Sequence, residues 1–210
     1  MFINVIDAFK LLKFSPKTQI LFFFGDDDSA FDGFSRYYIL FIDYGLIAQK
    51  KYISKYNKEG IKNVFFVIGL DTSYFKPIEG EKKYDVTFIG SPKTEFTGRY
   101  EYIKFLKDNG IKVKVFGWGW DKFSDLKDIY GGPLNSEEMV RTLFESKINL
   151  CFSKAEEGVH MVGKFFEGSA CKTLVLTEYC KDYLDLFEEG KEIIMFKDKK
   201  ELLNKTIYYL

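Results

Sequence analysis

The sequence has few of the residues that mark secreted or nucleic-acid-bound proteins. Its cysteines, Cys151, Cys171 and Cys180, are odd in number and lack a CxxC spacing. They give no basis for a disulfide framework and read as reduced thiols in or beside apolar runs. Neither charge is in excess: 31 Lys and Arg balance 31 Asp and Glu, so no net field recruits nucleic acid or an anionic membrane. Any anion site must therefore be local. No apolar run reaches the roughly 18 residues of a membrane span. Asp7 and Lys10 interrupt the N-terminus where a signal peptide would need an apolar stretch, so the expected location is the cytoplasm.

What is abundant is apolar and aromatic. Of 210 residues, 46% are apolar, with 23 Phe and 14 Tyr, enough for the core of one large or two small domains. The aromatics fall mostly in periodic segments and read as core rather than as a base-stacking surface. Strand-like runs alternate with amphipathic helical stretches, which predicts an α/β protein with a parallel sheet. Residues 19–24 predict a strand ending at Gly25 and Asp26-Asp27-Asp28. Residues 45–58 read as helix closed by Gly60, and 63–68 as a second strand.

The polar stretch 71–83, with Pro77, Gly80 and a charge cluster, reads as a linker between segment 1–70 and a domain over 84–210. Beyond it come a strand at 85–89 ending at Gly90-Ser91, a helix at 99–109 stopped by Gly110, and an alternating strand at 111–116. That strand delivers Gly117-Trp118-Gly119-Trp120 to a loop at a strand end, where α/β folds place ligands. Asn135 with Glu138 fits a capping box ahead of Met139, Val140, Leu143 and Phe144. Strands at 148–152, 173–176 and 192–196, a helix near Tyr183–Glu188, and a last helix capped by Asp198 with Glu201 complete the reading.

The most informative run is Lys164-Phe-Phe-Glu-Gly-Ser-Ala-Cys171 leading into the strand that follows. Lys164 and Glu167, three apart, share one helical face. At a phosphate-friendly helix N-terminus they can engage a phosphate and a ribose of one ligand. Together with Tyr84-Asp-Val-Thr-Phe-Ile-Gly-Ser91, Arg99, Val115-Phe-Gly-Trp-Gly-Trp120, Gly131-Gly-Pro-Leu-Asn-Ser-Glu-Glu138 and Lys147-Ile-Asn-Leu-Cys-Phe152, this order resembles the CgeB-type, spore-maturation-protein-like glycosyltransferases of GT-B architecture. The resemblance covers roughly residues 40–210. It implies a Rossmann-like donor domain preceded by a truncated first domain, with a nucleotide diphosphate sugar such as a UDP- or GDP-sugar as substrate and no cofactor or metal. It also implies an unknown acceptor and, because an incomplete first domain exposes a sheet edge and apolar surface, a homodimer or a completing partner chain.

The resemblance assigns Glu167 to the donor ribose, whose hydroxyls one carboxylate can accept, and Lys164 and Arg99 to the diphosphate, where their contacts strengthen as the leaving group departs. Gly90 and Ser91 bring backbone amides near a phosphate. Trp118 or Trp120 lines the cleft beside the base or plugs the core. Leu134 meets the base through its backbone, and His160 faces the sugar or phosphate from its loop. Two positions depart from the family. Lys164 stands where an arginine is usual and lacks the bidentate fork. Val159 stands where many relatives carry a second glutamate, Glu156 and Glu157 being out of register. Asp26-Asp27-Asp28 satisfies an Asp-x-Asp metal pattern but reads as a solvated turn. The alternative to a transferase is a non-catalytic subunit that binds a nucleotide or a partner.

Overall fold

A computed structural model describes residues 18–92, 98–155 and 158–210; Asp7, Lys10, Glu156 and Glu157 lie outside them. The chain divides into two compact units, Met1–Ile68 and Gly69–Leu210.

In the first unit, strands β1 (Leu21–Phe24), β2 (Tyr44–Ile47) and β3 (Val64–Phe66) form a parallel sheet in the order β1-β2-β3. Helix α1 spans Tyr52–Lys58 and ends where Gly60 adopts a φ of 82°. The residues read as the start of this helix, 45–47, are instead strand. A four-residue apolar run carries no period of its own, and two parallel neighbours decide its state.

The triple aspartate is not a solvated turn, which corrects the expectation for it. Asp27 is buried and opens a helical turn, Asp27–Ala30. Its carboxylate accepts from the Tyr56 hydroxyl at 3.2 and 3.3 Å. Asp28 and Gln49 exchange two hydrogen bonds, the Asp28 amide donating at 2.8 Å and the Gln49 amide at 2.9 Å. Phe24, Phe31, Ile47, Tyr52, Tyr56 and Val64 build the core. Among the described residues, the opposite face of the sheet carries Leu21 59%, Phe23 55% and Phe65 51% exposed, although parallel sheets are ordinarily covered on both faces.

In the second unit, β4 (Tyr84–Ile89), β5 (Val113–Phe116), β6 (Ser146–Cys151), β9 (Leu174–Glu178) and β10 (Ile194–Phe196) form one parallel sheet, ordered β10-β9-β6-β4-β5. A two-rung hairpin, β7 (Lys154–Ala155) with β8 (Gly158–Val159), follows β6. The helices are α2 (Arg99–Asp108), α3 (Ser136–Phe144), α4 (Gly163–Ala170) and α5 (Lys199–Tyr209). The chain leaves β4 for β5 on one side and returns to β6 on the other, so the strand order reverses between β4 and β6. Crevices at such a reversal, outside the carboxyl ends of the strands, are where open α/β sheets bind ligands.

Val86, Phe88, Ile103, Val115, Trp120, Ile148, Leu150 and Phe196 lie in the main core of this unit. Burying each large apolar side chain is worth about 1.5–3 kcal/mol. The three cysteines are free and buried. Both bonds of the Asn135–Glu138 capping box form, and Asp198 accepts from the Glu201 amide at 2.9 Å. The segment expected to be helical near Tyr183–Glu188 is a 3-10 turn, Lys181–Asp185. The linker residues group with this unit: Lys82 Nζ donates to Phe144 O at 2.6 Å, and Lys83 pairs with Glu145 at 2.6 Å. Among the described residues, no helix is long and apolar enough to cross a membrane.

Candidate functional site

The carboxyl end of β4 is built around a missing side chain. A Cβ at Gly90 would stand 2.9 Å from the Phe88 ring and 3.3 Å from Lys164 Nζ, so glycine leaves room for the ammonium. Lys164 donates to the carbonyl of Ile89 at 2.8 Å. The Gly90 backbone is held from two directions, its amide donating to Phe116 O at 2.8 Å and its carbonyl accepting from Trp120 Nε1 at 2.6 Å. Gly117, at a φ of 121°, presses against it: a Cβ there would lie 2.7 Å from Gly90 O.

Lys164 and Glu167 sit on α4, entered from an extended Val162 whose amide donates to the Tyr183 hydroxyl at 3.2 Å. The helix lies close to β9 because Gly168 has no Cβ; one would reach within 2.7 Å of Val175. Burial lifts the Glu167 carboxyl above the usual carboxylate range, and Lys164 draws it part of the way back. Both side chains, with Ile89, Met139, Leu143 and Asn149, line a recess of about 10 Å³, which has room for about one water. A larger ligand therefore meets Lys164 and Glu167 at the rim.

Arg99 is the first residue of α2. Its Nη1 donates to Ser91 O at 3.2 Å and its Nη2 to Phe152 O at 3.5 Å, while the guanidinium lies 5.7 Å from the centre of the Phe88 ring. Burial draws its pKa below the ordinary arginine value, opposed by nearby Cys151 and Glu178. Glu178, at the end of β9, is itself buried and accepts from the Ser153 amide at 2.7 Å.

The structure thus brings Gly90, Ser91, Arg99 and Lys164 to the strand reversal, with Glu167 one helical turn beyond Lys164. The remaining residues are more dispersed. Trp118 projects into solvent, 77% exposed, between Gly117 and Gly119. Trp120 is the core plug of the two alternatives, fully buried. Leu134 is half-buried in a loop tied to the end of β5, where the Gly131 amide donates to Val115 O at 2.8 Å and the Gly117 amide to Gly132 O at 2.9 Å. His160 is half-buried between β8 and α4, its amide donating to Ser153 O at 3.4 Å. Sequence reasoning missed Glu178. The available signal was a carboxylate closing the buried run Leu174-Val-Leu-Thr177, a position that a charge occupies only when it is paired.

Comparison with known proteins bears on this arrangement. The profile of a family described as glycosyl transferase-like matches residues 99–210. No curated protein matches the sequence. Among solved structures, TarM of S. aureus superposes with a TM-score of 0.67 at 14% identity, over 95% of this chain and 45% of that one. Sucrose-phosphate synthase of Thermosynechococcus elongatus gives 0.63 at 10%, over 94% and 59%. Anabaena HepE, solved with UDP and glucose, gives 0.61 at 11%, over 89% and 60%. The shared fold is the GT-B kind of α/β architecture, and the chain spans about half the length of these structures.

Proposed function

Because the chain belongs to the glycosyl transferase-like family, whose profile runs from Arg99 through α4 to Leu210, we propose that it transfers a glycosyl group from a nucleoside diphosphate sugar to an acceptor. The observation that carries this reading is the Lys164–Glu167 pair beside the strand reversal, with Gly90 cleared of side chain where the ammonium lies. Glu167 accepts from the ribose hydroxyls. Lys164 and the Gly90–Ser91 backbone take the diphosphate, whose charge grows as the glycosyl bond breaks, so that these contacts strengthen toward the transition state. Trp118 and the backbone of Leu134 are offered to the base, and His160 to the sugar or phosphate. The donor is used without a bound metal, in the cytoplasm. The finer placement, among the CgeB-type enzymes, is supported by the order of motifs from Tyr84 to Cys171.

Calorimetric titration with UDP, GDP, ADP and their sugar conjugates, without added metal, tests this. One nucleotide should bind, and Glu167→Ala should weaken it at least tenfold, about 1.4 kcal/mol, with the fold intact. Absence of binding by the native chain, or unchanged affinity in a folded Glu167→Ala, would overturn the reading.

A second reading is favoured by the sheet face carrying Leu21, Phe23 and Phe65. An apolar sheet face of this kind marks a contact surface, which suits a non-catalytic subunit completed by a second copy or a partner chain. Light scattering with a turnover assay separates the two: a monomer with turnover supports the transferase, and an obligate dimer without turnover supports the subunit.

A further inference from the structure

Adjacent parallel strands that part company leave backbone groups beyond the last rung of their ladder, and buried groups of this kind need partners. At the reversal between β4 and β6 the partners are charged side chains. Beyond β6, the peptide unit joining Phe152 to Ser153 has its carbonyl facing Arg99 Nη2 at 3.5 Å and its N–H facing Glu178 Oε2 at 2.7 Å. Beyond β4, Ser91 O accepts from Arg99 Nη1 at 3.2 Å. Cation on the oxygen and anion on the hydrogen match the peptide dipole, and both contacts are charge-assisted. The guanidinium fork spans carbonyls from two strands at once, which the point charge of a lysine cannot do in the same geometry. The chain comes back to the Ser153 end of this peptide just before it enters α4, the His160 amide donating to Ser153 O at 3.4 Å, so the held peptide is tied to the entry of the helix that carries Lys164 and Glu167.

We infer that Arg99 and Glu178 are a positioning pair: they clamp the Phe152–Ser153 peptide and thereby place α4 for the donor, and Arg99 does not itself take the diphosphate. The placement rests on the nucleotide-sugar reading of α4, whereas the clamp is independent of it.

Two measurements test the pair, one of them free of ligand. Amide hydrogen exchange at Ser153 should be at least tenfold faster in Arg99→Lys and in Glu178→Ala than in the native chain. It should be largely restored in Glu178→Gln, whose side-chain oxygen can still accept. Unchanged exchange in folded Arg99→Lys overturns the clamp whether or not any nucleotide binds. For the nucleotide that the native chain binds, Arg99→Lys and Glu178→Ala should weaken the diphosphate by the same factor as each other. Each should also weaken the corresponding nucleoside, because α4 carries the ribose contact too, and the double variant should be no worse than the weaker single. A loss confined to the diphosphate in Arg99→Lys, with Glu178→Ala unaffected, makes Arg99 a direct phosphate ligand and overturns the inference. If the native chain binds no nucleotide, the functional reading fails while the exchange result still decides the clamp.

Discussion

The indole of Trp120 donates to the carbonyl oxygen of Gly90 at 2.6 Å, across 30 residues of sequence. The bond ties the loop after β5 to the end of β4 and fixes the peptide beside Lys164. Trp120→Phe leaves that oxygen without its donor and opens space in a fully buried site. The expected loss is about 2–4 kcal/mol, from the unmade hydrogen bond and the cavity together. Urea unfolding followed by circular dichroism checks it, as a lower midpoint at unchanged slope.

Gly117 and Gly132 both have positive φ, 121° and 88°, but only Gly117 is crowded, by the Gly90 carbonyl; nothing lies within 4 Å of a Cβ at Gly132. Gly132→Ala should cost about 1–2 kcal/mol of backbone strain. Gly117→Ala should cost clearly more, because backbone must also move. The ranking by denaturation midpoint is the check, and equal costs would contradict the close approach.

The pKa of Asp27 is shifted upward, the reverse of a hydrogen-bonded surface aspartate such as Asp71. Burial raises its carboxyl above the usual value, outweighing the hydrogen bonds from Ser35 and Tyr56 that lower it. The folded state therefore holds this proton more tightly than the unfolded chain. Its contribution is fully present below about pH 3.8, the unfolded value, and is lost as pH rises through the folded pKa. Asp27→Asn, which still accepts from Tyr56, should be more stable than the native chain at neutral pH. The advantage should vanish below about pH 3.8, as measured by thermal unfolding across pH.

Much of both units was legible because its signals are local. Gly60 and Gly110 stop their helices, Asn135 and Asp198 cap theirs, and the alternation of 111–116 is that of a strand. What the sequence did not disclose depends on partners remote along the chain. Tyr44–Ile47 becomes strand only between β1 and β3. Asp27 is buried because Tyr56 arrives 29 residues later. Arg99 could be singled out as a cation beside the site, yet its attachment to Ser91 and Phe152, and the approach of Glu178 to the same peptide, follow from a strand order that no local pattern encodes.

The raised pKa of Glu167 gives donor binding a direction with pH. On the proposed function Glu167 meets the ribose as a carboxylate, so affinity for the bound nucleotide should rise as pH increases through the folded pKa and then level off. Glu167→Gln should bind more weakly at neutral pH and lose most of that slope. Calorimetry between mildly acidic and neutral pH is the check, and an identical slope in the variant would remove Glu167 as its source.

Trp118 stands on a mount that cannot easily change. Gly117 is locked against Gly90, and Gly119 holds a φ of 95° beside Pro92, while the side chain between them is 77% exposed. Selection can therefore try nearly any residue at position 118 without disturbing the frame that displays it. Substitutions can accumulate at such a tip one at a time, each step nearly free of cost to folding.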